Sequence, residues 1–218
     1  DAASFWSVRH NSTTLAGLLI MSGSAFANVG ISVQGLYYDA SGSETLKDSS
    51  KITSKDESGV APIASVFMEG EISGGSIVGL ELTPYSAKLA DGSMTNDDDM
   101  ETAGTNSVDV NLKNLVSLYI ESPISAGADG SFFRAAINHA TLETDETVST
   151  GSTYGDENLK GVTLGYGIKR DLPTGDGFYK IIAEVSHFQG ATFNSENTNN
   201  KIELDDFQTA AIRLSVGF

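Results

Sequence analysis

The sequence predicts an all-β chain: an eight-stranded antiparallel up-and-down transmembrane β-barrel. Three observations lead there. Apolar residues recur with a period of two from about residue 28 to the end, the spacing of a strand with one apolar face. The polar segments between these stretches are long after the first, third, fifth and seventh and short after the second, fourth and sixth. The face opposite the apolar one carries more charge than the core of a small soluble barrel could bury without a cost of several kcal/mol per unpaired ion.

Composition sets the outer limits. The chain has 218 residues, 39% of them hydrophobic, with 23 Gly and 4 Pro. No apolar run reaches the roughly 18 residues of a spanning helix, while a membrane barrel has ordinary average hydropathy because lipid-facing and lumen-facing residues alternate. A net charge of −16 argues against nucleic acid, which is held by a surplus of Lys and Arg. The absence of Cys removes disulfides, thiolate metal sites and Cys nucleophiles together.

Residues 1–27 read as a signal peptide with upstream residues: Arg9 and His10, an apolar stretch at 15–21, small residues, then Ala25-Phe26-Ala27, an A-x-A cleavage site. The barrel is expected to occupy residues 28–218. Its first strand alternates Val29, Ile31 and Val33 with Gly30, Ser32 and Gln34, and the polar run at 41–59 follows as a long loop. The second, near residues 60–72, sets Ala64, Val66 and Met68 against Ser65, Phe67 and Glu69. A tight Ser-Gly-Gly-Ser turn leads to the third, with Val78, Leu80 and Leu82 opposite Gly79 and Glu81. Pro62 and Pro84 lie at the far end of this hairpin, where a missing ladder donor is tolerated.

A second long loop at 88–107 contains Asp97-Asp98-Asp99 and Glu101. In the fourth strand Val108, Val110, Leu112, Val116, Leu118 and Ile120 face one way and Asp109, Asn111, Lys113, Ser117, Tyr119 and Glu121 the other. The fifth carries Phe133, Ala135 and Ile137 against Arg134, Ala136 and Asn138 before a loop at 143–158. The sixth has Val162, Leu164, Tyr166 and Ile168 on its apolar side, and the seventh Tyr179, Ile181, Ala183 and Val185; a loop at 188–200 follows. The eighth alternates Ala210, Ile212, Leu214, Val216 and Phe218 with Ala211, Arg213, Ser215 and Gly217. Aromatic residues near the strand ends are expected to form interfacial girdles, Phe132, Phe133, Phe178, Tyr179 and Phe218 on the short-turn side and Tyr37, Tyr38 and Tyr85 on the other.

Residues 28–218 resemble the small eight-stranded bacterial outer-membrane barrels of the OmpA transmembrane-domain and OmpX type. The resemblance implies a bacterial outer-membrane location and contact with outer-membrane lipid and lipopolysaccharide. It also implies that Ile212, Leu214, Val216 and Phe218 form the terminal signal read by the barrel-assembly machinery.

Turning the apolar face to lipid puts Glu69, Glu81, Asp109, Glu121 and Glu184 in the lumen with Lys113, Arg134, Lys180 and Arg213. Both signs on one interior face point to an ion-pair network, in a barrel whose bore is just wide enough for side chains. Pairs of Glu can also serve as acid and base, but the interleaved cations favour the network. Ser186-His187 suggests a nucleophile and base, yet adjacent strand residues point to opposite faces. The Asp97-Asp98-Asp99 run with Glu101 offers at most a weak divalent-cation site, lacking the spacing of a calcium loop. The expectation is a non-enzymatic protein with no cofactor and no dedicated metal site, serving envelope integrity or surface interaction through long acidic loops. The rival readings are a narrow channel or transporter for small solutes or hydrophobic compounds, a barrel enzyme, and a soluble lipocalin-like barrel.

Overall fold

The computed structural model describes residues 28–46, 51–96, 104–125, 127–147, 152–173, 175–197 and 200–218. The expected signal peptide at 1–27, the Asp97-Asp98-Asp99 run and Glu101 lie outside the described residues. Ten strands build eight passes: β1 (Asn28–Leu46), β2 (Lys51–Glu71), β3 (Ile77–Leu82), β4 (Ala87–Asn96), β5 (Gly104–Pro123), β6 (Ser131–Thr147), β7 (Glu157–Asp171), β8 (Phe178–Phe188), β9 (Ala191–Asn194) and β10 (Lys201–Gly217). β3 and β4 form the third pass, interrupted at residues 83–86, and β8 and β9 form the seventh, interrupted at 189–190. Sequential neighbours pair antiparallel, and β1 pairs with β10 from Gly30↔Gly217 to Thr45↔Lys201, which closes the ring. Val29 and Phe218 exchange both backbone hydrogen bonds, at 3.1 and 2.9 Å, so the last residue completes the closure. Closure satisfies main-chain groups that lipid could not.

Sidedness follows the alternation. Val29, Ile31, Val33, Leu118, Phe133, Leu164, Ile181 and Ile212 are exposed on the outer wall, whereas Ser32, Gln34, Glu81, Arg134 and Arg213 are buried within. Leu164 is 65% exposed and Glu81 4%, the reverse of a soluble core. On β1 the outward apolar residues run from Val29 to Tyr37, nine positions, the length of a tilted strand crossing a bilayer.

Three expectations are corrected. The polar stretches placed in long loops are largely strand: β1 and β2 pair up to Leu46↔Lys51, β4 and β5 pair from Ala87↔Leu112 to Asn96↔Gly104, and β6 continues to Thr147. The apolar alternation that marks the outer wall stops where lipid stops, but backbone pairing does not depend on it. Above that level the barrel turns its grease inward, and Leu36, Tyr38, Leu112, Leu142, Leu159, Phe188 and Phe207 form a buried cluster inside.

The second correction concerns β5. Its pairing with β6 shifts between Lys113↔Thr141 and Val116↔His139, three steps on one strand against two on the other, and Asn114 adopts φ 53°. The extra residue is a β-bulge, which reverses the in/out parity of everything beyond it; Asn is among the residues that tolerate a left-handed backbone. Val110 and Leu112 therefore face the interior cluster, and Asp109 and Lys113 face out.

The third correction concerns the girdles. Phe133, Phe218, Tyr37 and Tyr85 are exposed as expected, and Phe133 lies edge to face with Tyr166 at 6.0 Å between centroids. Phe132, Phe178 and Tyr38 are instead buried in the lumen.

Candidate functional site: the charged plug of the lumen

Alternation sends seven ionisable side chains into one stretch of the bore, where each is at most 7% exposed: Glu69, Glu81, Glu121, Arg134, Lys180, Glu184 and Arg213. Lys180 Nζ donates to Glu69 Oε2 at 2.6 Å and Glu121 Oε2 at 2.5 Å. Arg134 donates through Nη1 to Glu121 Oε1 at 2.9 Å and through Nη2 to Glu81 Oε2 at 2.7 Å, and its Nε lies 3.7 Å from Glu184 Oε2. Arg213 completes the chain, donating to Glu184 Oε1 at 2.5 Å from Nη2 and to Glu81 from Nη1. Ser65 donates to Glu81, and the Tyr119 hydroxyl donates to Glu69 Oε2 at 2.7 Å. Such a lattice offsets the desolvation of its members only while every link holds.

Aromatic rings floor the lattice. Lys180 Nζ sits 5.3 to 5.9 Å from the centroids of Phe178, Phe132, Phe67 and Tyr119, and the Arg134 guanidinium lies 3.7 Å over the Tyr119 ring, within cation–π range. These rings share a packing rule that the sequence reading missed: each lies across a glycine directly opposite on the next strand. Phe67 pairs Gly30, Tyr119 pairs Gly79, Phe132 pairs Gly167 and Phe178 pairs Gly217. A Cβ on any of these glycines would fall 2.2 to 2.4 Å from the ring or from backbone. The inward glycines are thus seats for rings, and the available signal was the recurrence of Gly and aromatic residues on the non-lipid face.

Neutral polar pairs also occupy the bore: Ser32 with Ser215 at 2.8 Å, and Ser117, Asn138, Thr163 and Ser186 linked in sequence at 2.8, 2.7 and 2.7 Å. The interior cluster fills the outer end, with the Phe207 ring tilted against those of Phe188 and Tyr38 at 5.4 and 6.4 Å between centroids.

Of the nine residues placed in the network from sequence, Asp109 and Lys113 fall outside it. The bulge turns them outward, where Asp109 pairs with Lys88 at 3.0 Å, and Lys113 pairs with Glu143 and, at 2.9 Å, Asp156. These carboxylates raise the pKa of both lysines by hydrogen bonding to the charged form. Ile212, Leu214 and Phe218, which the resemblance implies belong to an assembly signal, lie exposed on the outer wall. Ser186 points inward to Thr163 while His187 points out to Asp206 at 3.2 Å, so the two do not converge.

No family model matches this chain, and no curated protein matches it. Among solved structures it is similar to the outer membrane protein OprG from Pseudomonas aeruginosa, at 12% identity and a TM-score of 0.52, covering 89% of this chain and 98% of that one. It also matches the attachment invasion locus protein Ail of Yersinia pestis, at 10% identity and a TM-score of 0.41 over 88% of this chain and 98% of that one. A third match is the outer membrane protease OmpT from Escherichia coli, at 9%, 0.43, 89% and 98%. The likeness to OprG shows the fold, and with the closed ring and the apolar outer wall it defines the class: a transmembrane β-barrel of the outer-membrane type.

Proposed function

We propose that this barrel is a non-enzymatic anchor with a filled bore, and that its working part is the set of β-hairpins standing above the membrane, in envelope integrity or surface interaction. The observation that carries this reading is the lattice of seven buried charges crossing the lumen between an aromatic floor and an apolar outer cluster. A bore about as wide as its own side chains leaves no aqueous route while these remain packed. The hairpins are paired well beyond the lipid-facing belt and rich in Asp and Glu, which suits them to display charge rather than to drape as loops. Reconstitution into planar bilayers tests the filled bore: the expected result is no steady conductance, and openings of hundreds of picosiemens would overturn it.

One observation favours a second reading, passage of hydrophobic compounds through the wall. β2 pairs the third pass only from Val66↔Leu82 downward, and above that no ladder joins β2 to β4 among the described residues. Pro62 and Pro84 stand at the start of this seam, where Tyr85 Oη bonds the Ala64 amide at 2.5 Å and the Pro62 carbonyl at 3.3 Å. Tyr38 reaches across to the Leu89 carbonyl at 2.5 Å, so the seam is bridged by side chains and backed by the apolar cluster. This reading expects faster uptake of an apolar dye by expressing cells; unchanged uptake removes it.

A further inference from the structure

From Val66 downward β2 is paired on both sides, to β1 and to β3; above that level only its β1 side is paired among the described residues. A side chain supplies the first rungs of the missing ladder. Tyr85 Oη accepts from the Ala64 amide and donates to the Pro62 carbonyl, which fixes the main-chain groups that face the seam. In a strand the N–H and C=O of one residue point the same way and alternate residues share an edge. Val60, Ser58, Asp56, Ser54 and Ile52 therefore also turn their N–H and C=O to the seam. The row continues past Val60↔Tyr37, the top of the outward apolar run on β1, into the hairpin that stands clear of lipid.

Exposed edges are ordinarily guarded by Pro, Lys, a bulge or shortness. This row contains no Pro and no Lys, and the β1–β2 register runs through it without a shift. Lys55 belongs to the alternate row and pairs with Glu57 at 3.0 Å. The side chains of the edge row point outward in a pattern: Val60 and Ile52 are 72% and 66% exposed, and the carboxylate of Asp56 stands midway between them. Asp56 has no ion-pair partner among the described residues.

We propose that the upper edge of β2, from Ile52 to Val60, takes an extended segment of another protein as an added strand, with apolar side chains of that segment on Val60 and Ile52 and a cationic one on Asp56. A row of main-chain donors and acceptors at strand spacing is complementary to another extended main chain. The carboxylate, on a chain of net charge −16, favours a basic segment over an acidic one. Main-chain bonds give the affinity and the side-chain pattern sets the register. This names the kind of partner the hairpins take and rests on reading them as the working part, while it is independent of the filled bore.

The test measures, by fluorescence anisotropy on the protein in nanodiscs, binding of the end-blocked peptide Val-Thr-Thr-Thr-Lys-Thr-Thr-Thr-Val, which reads the same in both directions and so suits either strand orientation. Two further versions carry N-methyl groups on alternate residues, in one phase or the other. An added strand uses the N–H groups of one phase only, so one version should bind at least about tenfold more weakly than the parent and the other about as well. Replacing the Lys by Glu should cost a similar factor. Ser58→Pro removes an N–H that β1 does not use, at an edge position where Pro is tolerated; it should lose the parent peptide while migrating on SDS gels as the wild type does. Absence of parent-peptide binding to the wild type would overturn the proposal, as would equal effects of the two methylation phases, a comparison that needs no variant, or undiminished binding by a folded Ser58→Pro. Binding that follows the Lys charge but ignores both methylation phases would overturn the added strand and leave the hairpins as the working part, so the two failures are distinguishable.

Discussion

Lys180→Met should destabilise the barrel by about 3–5 kcal/mol, the cost of leaving buried charge without its partner. The lattice holds four carboxylates and three cations, and Lys180 joins two of the carboxylates, Glu69 and Glu121, over an aromatic floor. Met fills the space of the stem but neutralises neither. Glu69→Gln should be far milder, within about 1.5 kcal/mol, because it leaves three carboxylates against three cations. The amide oxygen can take the place of Oε2 under Lys180 and Tyr119, and the amide nitrogen then stands where Oε1 has no hydrogen-bond partner. Urea midpoints of the two variants in the same detergent check this ordering; equal losses would mean that packing rather than charge count governs the plug.

Leu112→Ala should cost about 2–5 kcal/mol, as for a fully buried leucine, while Asp109→Ala, three residues away, should change stability by no more than about 0.5 kcal/mol. Simple alternation along β5 assigns these two residues to the opposite sides. The bulge at Asn114 is what exchanges them, moving Leu112 into the cluster with Leu142 and Leu159 and leaving Asp109 about half exposed beside Lys88. Heat-modifiable migration of the two variants on SDS gels, followed as a function of temperature, separates them: the Leu112 variant should convert at a distinctly lower temperature and the Asp109 variant with the wild type.

The contrast between β5 and β10 shows what the residues disclosed. On β10 the alternation runs unbroken from Phe207 to Phe218, so the side of Arg213 and Leu214 was legible directly. On β5 a single inserted residue carries no apolar signature, and the parity beyond it could not be read. The seven buried members of the lattice all lie where alternation is regular, whereas the two that fall outside it lie beyond the bulge. The strands above the membrane were hidden for a different reason: outside lipid the outer wall turns polar, so Ser- and Thr-rich paired segments such as 51–59 look like loops. The inward aromatics were misassigned because a ring near a strand end can serve a girdle or a plug. Only the glycine across the ladder decides between them.

The central claim is an inverted wall that rights itself above the membrane, and the lack of native cysteine makes it directly measurable. Single spin labels placed along β5 from 108 to 120 in a bilayer report contact with lipid-dissolved oxygen. High oxygen contact is expected at 116, 118 and 120, with protection at 117 and 119. Beyond the bulge the label at 112 should be protected from both oxygen and a water-soluble relaxer, and those at 109 and 113 should meet the water-soluble relaxer. A single uninterrupted alternation through 114, or lipid contact at 117 and 119, would contradict the account.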